Sequence, residues 1–135
     1  ELEAFCRPFA PLAAGSALIT PGFKLPNNWV IHVVAASFIN NPEAERILEQ
    51  ALTAMVKVAN ENNIRSLAMP AIGTGVFRCP PELAATLTAR VLKSFASHET
   101  SVEWVRVCVA SEAIRAAFSS VMVVASEDAN FNPWR

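Results

Sequence analysis

Residues 70–78, "PAIGTGVFR", gather the groups in this chain best suited to hold an anion. Two of the chain's four glycines, Gly73 and Gly75, flank a threonine here. Glycine lets the main chain turn with positive φ and lets a ligand come close to the backbone. Successive N–H groups in such a turn converge on negative charge. Thr74 adds a hydroxyl, Phe77 an aromatic face for a sugar or base, and Arg78 a guanidinium that can pair with phosphate. The chemistry this predicts is a phosphate or diphosphate cradled by main chain from Ala71 through Ile72, Gly73, Thr74, Gly75, Val76 and Phe77 to Arg78. An ordinary tight connection is the other reading of the same residues. The pattern is not a Walker A loop, because no GxxxxGK occurs. It is not GxGxxG either, because Arg78 stands at the last position.

The remaining reactive side chains are scattered. His32 falls within an apolar run and reads as a hydrogen-bonded core histidine, with a metal or catalytic role as the alternative. Cys79 sits near a helix start, where its pKa could fall. Cys108, Trp29 and Trp104 belong to strand-like runs and read as core. Glu82 reads as a first-turn acid favoured by the helix dipole. No paired carboxylates, Ser-His-Asp arrangement or Cys/His cluster occurs. No catalytic residue, metal or cofactor is therefore assigned.

The loop needs elements to position it. "ALIT" (17–20), "WVIHVVAA" (29–36), "RSLAMP" (65–70) and "EWVRVCVA" (103–110) are apolar runs with strand character. Between the second and third lies a helical stripe: Ala44, Ile47, Leu48, Ala51, Leu52, Met55, Val56 and Ala59. Asn41 is its expected N-cap and Pro42 its first residue. After the loop, Leu83, Leu87, Val91, Leu92 and Phe95 repeat helical spacing. Ser111 caps a third helix over about 112–125, which fits better than a strand at "VMVV". Residues 126–135 read as a loose tail. Strands alternating with helices predict a mainly parallel sheet with helices on both faces. The loop then lies at the carboxyl end of a strand, where ligands sit in open α/β sheets.

The chain's 135 residues suit one domain, and 53% hydrophobic content argues for a packed core. A net charge of −1 excludes an electrostatic drive toward nucleic acid or acidic membranes. No apolar run reaches membrane-spanning length. Three widely spaced cysteines, Cys6, Cys79 and Cys108, fit a reducing compartment, so a cytoplasmic setting is expected. The chain begins "ELEAFCRPF", which has no signal-peptide pattern and no initiator Met; a processed product or a fragment is expected.

"PAIGTGVF" after an apolar strand and before "PPELAATLTARVL" resembles the second ligand loop of macro domains. "AGSALITPGFKLPNNWVIHVV" (14–34) resembles the same family's strand, glycine turn and "VIH" strand, in the same order and spacing. The similarity covers roughly residues 2–120. It implies a three-layer α/β/α macro-like fold with a mainly parallel mixed sheet over one domain, residues 1–135. In macro domains this loop wraps the diphosphate and distal ribose of ADP-ribose. The resemblance thus implies Gly73, Thr74, Gly75 and Val76 as main-chain donors to phosphate, with Phe77 beside the distal ribose. The family also carries an earlier part, with an acidic residue for adenine, an Asn-rich "NAAN" strand end and a glycine-rich loop. That part has no counterpart here, so an N-terminally truncated domain is expected. Ala110 stands where some relatives carry an aromatic residue, and "VVAAS" replaces a usual glycine-proline. Macro-domain hydrolases rely on groups of the earlier part, so binding is expected rather than turnover. Weak binding of ADP-ribose or a related phosphorylated nucleotide follows, unless a dimer or partner chain completes the cradle. A hydrolase completed by another chain, and a ligand-free dimeric or interaction scaffold, are the alternatives.

Overall fold

The computed structural model describes residues 1–122. Four strands and four α-helices follow one another, with a short 3-10 helix (Arg7–Phe9) after the first: α1 (Leu2–Cys6), β1 (Ala17–Pro21), β2 (Trp29–Val33), α2 (Ala44–Glu61), β3 (Ser66–Pro70), α3 (Pro81–Ala96), β4 (Trp104–Cys108) and α4 (Glu112–Val121). The expected α/β alternation is present. Residues 123–135, which include the last three positions of the expected third helix and the whole expected tail, lie outside the described residues.

The strands form two separate ladders. β1 and β2 pair antiparallel, with Ala17 opposite Val33 and Pro21 opposite Trp29. β3 and β4 pair parallel, with Ser66 opposite Trp104 and Pro70 opposite Cys108. Among the described residues no hydrogen-bonded strand joins the two ladders. Within the expected α/β fold with a mixed sheet, the described strands thus give one antiparallel and one parallel pair. The short connection over residues 22–28 lets β1 and β2 run antiparallel, while β3 and β4, joined through α3, are parallel neighbours.

α2 carries the predicted stripe inward. Ala44, Leu48, Ala51, Leu52, Met55, Val56 and Ala59 are buried, and Ile47 is half-buried. The helix begins at Ala44 and not at Pro42. The Asn41 side chain accepts the Glu43 N–H at 3.0 Å, so Asn41 makes a turn before the helix rather than capping it. α3 buries Ala84, Ala85, Leu87, Thr88, Ala89 and Val91, a stripe richer in small residues than its large side chains alone predict. These alanines let α3 lie close to its neighbours α2 and α4. α4 starts as expected, with the Ser111 hydroxyl accepting the Ile114 N–H at 3.3 Å.

One hydrophobic cluster unites the helices with the inner side chains Ile31, Val33, Met69, Val105 and Val107 of the strands. Leu48, Leu52 and Leu87 are almost wholly enclosed. Each contributes about 1.5–3 kcal/mol by leaving water. Two strand residues expected in the core are instead exposed: Trp29, at 48%, and Cys108.

Leu48→Ala is expected to lower the unfolding free energy by about 2–5 kcal/mol, read from the urea midpoint. Leu25→Ala, at a half-exposed turn position, should stay within about 0.5 kcal/mol of the parent.

Candidate ligand loop at the carboxyl end of β3

The chain leaves β3 at Pro70 and turns before α3 begins at Pro81. Ala71 is buried and anchors the turn: its carbonyl accepts both the Thr74 N–H, at 3.2 Å, and the Thr74 hydroxyl, at 2.7 Å. Cys79 N–H donates to the Gly73 carbonyl at 2.9 Å, and Arg78 N–H to the Gly75 carbonyl at 3.1 Å. These bonds close the loop on itself. The Phe38 N–H reaches across from beyond β2 and donates to the Phe77 carbonyl at 2.7 Å.

The N–H groups of Gly73, Gly75, Val76 and Phe77 have no acceptor among the described residues. They lie on a stretch that grows more exposed along its length, from half-buried Gly73 to Val76 at 85%. Four donors within five residues make a concentration of partial positive charge. Arg78 adds a full positive charge at the end of the loop. It has φ +62°, is exposed, and forms no ion pair among the described residues. Phe77 is 38% exposed, so its ring is available to a flat partner.

All eight expected residues therefore fall on one continuous turn, but their roles divide. Ala71 and Ile72 form its base. The structure differs from the expectation at Thr74, whose N–H and hydroxyl are both used to close the loop. Phe77 N–H is open where Thr74 N–H is not.

The two glycines differ in kind. Gly73 has φ +89°, and a Cβ there would meet Cys79 Cβ at 3.2 Å and the Leu48 side chain at 3.5 Å. Gly75 needs no positive φ, and a Cβ there would meet nothing within 4 Å. Gly73 is thus required by the turn. Gly75 keeps the outer surface of the loop bare.

Cys79 is the correction to note. It is 3% exposed, and burial pushes its pKa up from 9.0 to about 11; a backbone hydrogen bond from Ala84 opposes this, and Glu45 adds to it. Proximity to the start of α3 does not activate it. His32 is held as expected: its Nε2 lies 3.0 Å from Thr20 Oγ1 and 3.8 Å from Cys6 Sγ. Glu82 is exposed in the first turn of α3. Among the described residues no group of His, Cys, Asp and Glu side chains could hold a metal. No helix there is long and apolar enough to cross a membrane. Sequence reasoning missed Phe38. Its signal is positional: it follows β2 as the loop follows β3, and both strand ends lie where α/β ligand sites form.

A strand ending in a closed glycine turn, followed at once by a helix, sets an exposed main-chain loop at the carboxyl end of a strand in an α/β domain. Its family follows from known proteins. The Macro domain family model matches residues 1–88, and the chain belongs to the macro domain family. A macro domain-containing protein of Lactiplantibacillus plantarum is 36% identical over 96 residues, covering 70% of this chain and 56% of that protein. Human ADP-ribose glycohydrolase MACROD2 is 37% identical over 112 residues, covering 80% of this chain and 26% of that one. A variant of the Oceanobacillus iheyensis macrodomain, solved with ADPR, superposes with a TM-score of 0.76 at 25% identity. That match covers 88% of this chain and 64% of the other. The chain thus spans little more than half the length of the L. plantarum relative.

The thiol chemistry gives a test of the loop's underside. Cys108 is expected to react with Ellman's reagent in seconds to minutes in the native protein, and Cys79 only upon unfolding. A pKa raised in the folded state means that the native protein holds this proton more tightly. Its contribution is fully present below pH 9.0 and is lost as pH rises toward 11. Urea midpoints across that window should fall less in Cys79→Ala than in the parent.

Proposed function

We propose that the 71–78 loop binds ADP-ribose or a related phosphorylated nucleotide, with its diphosphate seated on the main chain. The carrying observation is the set of four open N–H groups, Gly73, Gly75, Val76 and Phe77, beside the unpaired Arg78. A diphosphate spreads negative charge over several oxygens and matches several donors at once. The bare surface at Gly75 lets those oxygens come within hydrogen-bond distance. Phe77 then packs against the distal ribose. Relatives solved with ADPR and with ADP support the choice of ligand. The three unbridged thiols favour a reducing, cytoplasmic setting for this binding.

Hydrolysis is the second reading, favoured by the similarity to MACROD2. Binding is preferred because the loop's one hydroxyl, on Thr74, is already donated to Ala71. A hydroxyl so held can still accept from a water but does not act as a base at neutral pH.

Calorimetric titration with ADP-ribose is expected to give saturable 1:1 binding. Gly75→Glu places a carboxylate in the open space above the loop without touching the core. It should weaken binding at least tenfold, about 1.4 kcal/mol, and leave the urea midpoint unchanged. No heat at millimolar ADP-ribose would overturn the proposal. Release of ADP-ribose from an ADP-ribosylated protein would favour the hydrolytic reading instead.

A further inference from the structure

The alternation that carries Ile31 and Val33 into the helical cluster points His32, between them, to the other face of β2. Thr20 of β1 shares that face: Leu18 stands opposite His32, and Thr20 lies two positions further along. α1 packs against β1 and brings Cys6 to the same place. Three elements thus meet at one ring nitrogen. His32 Nε2 lies 3.0 Å from Thr20 Oγ1 and 3.8 Å from Cys6 Sγ. The ligand loop uses none of these residues.

The grouping has the layout of an activated nucleophile: a thiol, a base within reach of its proton, and a third group that orients the base. Thr20 is 1% exposed, and its hydroxyl has two partners, the Pro21 carbonyl at 3.2 Å and His32 Nε2. While Nε2 is bare, it accepts from the thiol or from the hydroxyl. Once Nε2 carries a proton, the hydroxyl donates to Pro21 and accepts from the ring. Thr20 therefore holds the imidazole in both states. Cys6 is half-buried, so a small reagent reaches its sulfur. α1 itself gives a thiolate no help. Cys6 is the last of its five residues, at the negative end of the helix dipole. Glu3 and Arg7 pair with each other at 3.3 Å. Activation therefore rests on His32.

We propose that Cys6 and His32 form a nucleophile–base pair, which makes Cys6 the chain's site of mixed-disulfide formation with small disulfides. His32 Nε2 takes the thiol proton as Sγ attacks one sulfur of the disulfide. A new S–S bond forms to Cys6, and the reagent's own S–S bond breaks. The departing thiolate takes the proton back from the imidazolium. One thiol is consumed and one released, and the disulfide is the oxidant. The other two thiols differ. Cys79 is buried, with its Sγ 3.5 Å from the Pro80 carbonyl. Cys108 is exposed, and the chain's one other histidine, His98, is engaged at the end of α3 by the Ser94 carbonyl at 2.8 Å. This inference does not depend on nucleotide binding.

Incubation of the 135-residue protein with excess hydroxyethyl disulfide at neutral pH tests it, with modification of each cysteine followed by peptide mass. The reagent is uncharged, so surface charge does not select among the thiols. Cys6 is expected to react at least about tenfold faster than the more exposed Cys108. His32→Gln, checked for native circular dichroism, should slow Cys6 at least about tenfold and leave Cys108 unchanged. Cys6 reacting no faster than Cys108 in the parent overturns the proposal, whether or not the variant folds. So does a natively folded His32→Gln in which Cys6 keeps the parent's rate.

Discussion

The candidate site depends on the turn at Gly73. There the main chain adopts φ +89° directly over Leu48 and Cys79, with no room for a side chain without displacing one of them. The Gly73 carbonyl takes the Cys79 N–H, and that bond draws the far end of the loop back onto the core. Because the underside is fixed by packing, the outer side presents its N–H groups in a set geometry. Donors held in place in this way need little reordering when a ligand arrives, which lowers the cost of binding. The same burial that fixes the loop keeps the Cys79 thiol protonated at neutral pH.

Much of this was legible in the sequence. Eight apolar positions at three-and-four spacing placed α2 and its buried face. The glycine pair after an apolar run placed the loop at a strand end, and Ser111 placed the start of α4. What was not legible depended on neighbours distant in sequence. The exposure of Trp29 and Cys108 reflects what lies beside each ladder, and strand periodicity carries no record of that. The clamp from Phe38 to Phe77 joins two loops that only the folded chain brings together. At Thr74, residue type gave two possible donors, but the turn geometry spends both on Ala71. The early start expected for α2 failed because the Asn41 side chain stabilises a turn before the helix instead.

The split sheet and the loop are neighbours. Pro70 and Ile72 border the cleft between β2 and β3, and the next residue is Gly73. α2 spans both regions, with Met55 under the cleft and Leu48 under the loop. The fold is shared with longer relatives.

The central claim is that main-chain N–H groups of the loop hold the phosphates. Amide chemical shifts of 15N-labelled protein during an ADP-ribose titration test it most directly. The account predicts the largest shifts at Gly73, Gly75, Val76 and Phe77, with a smaller one at Thr74, whose N–H is already engaged. Shifts centred on β2 or the helices, with the loop amides unmoved, would contradict it.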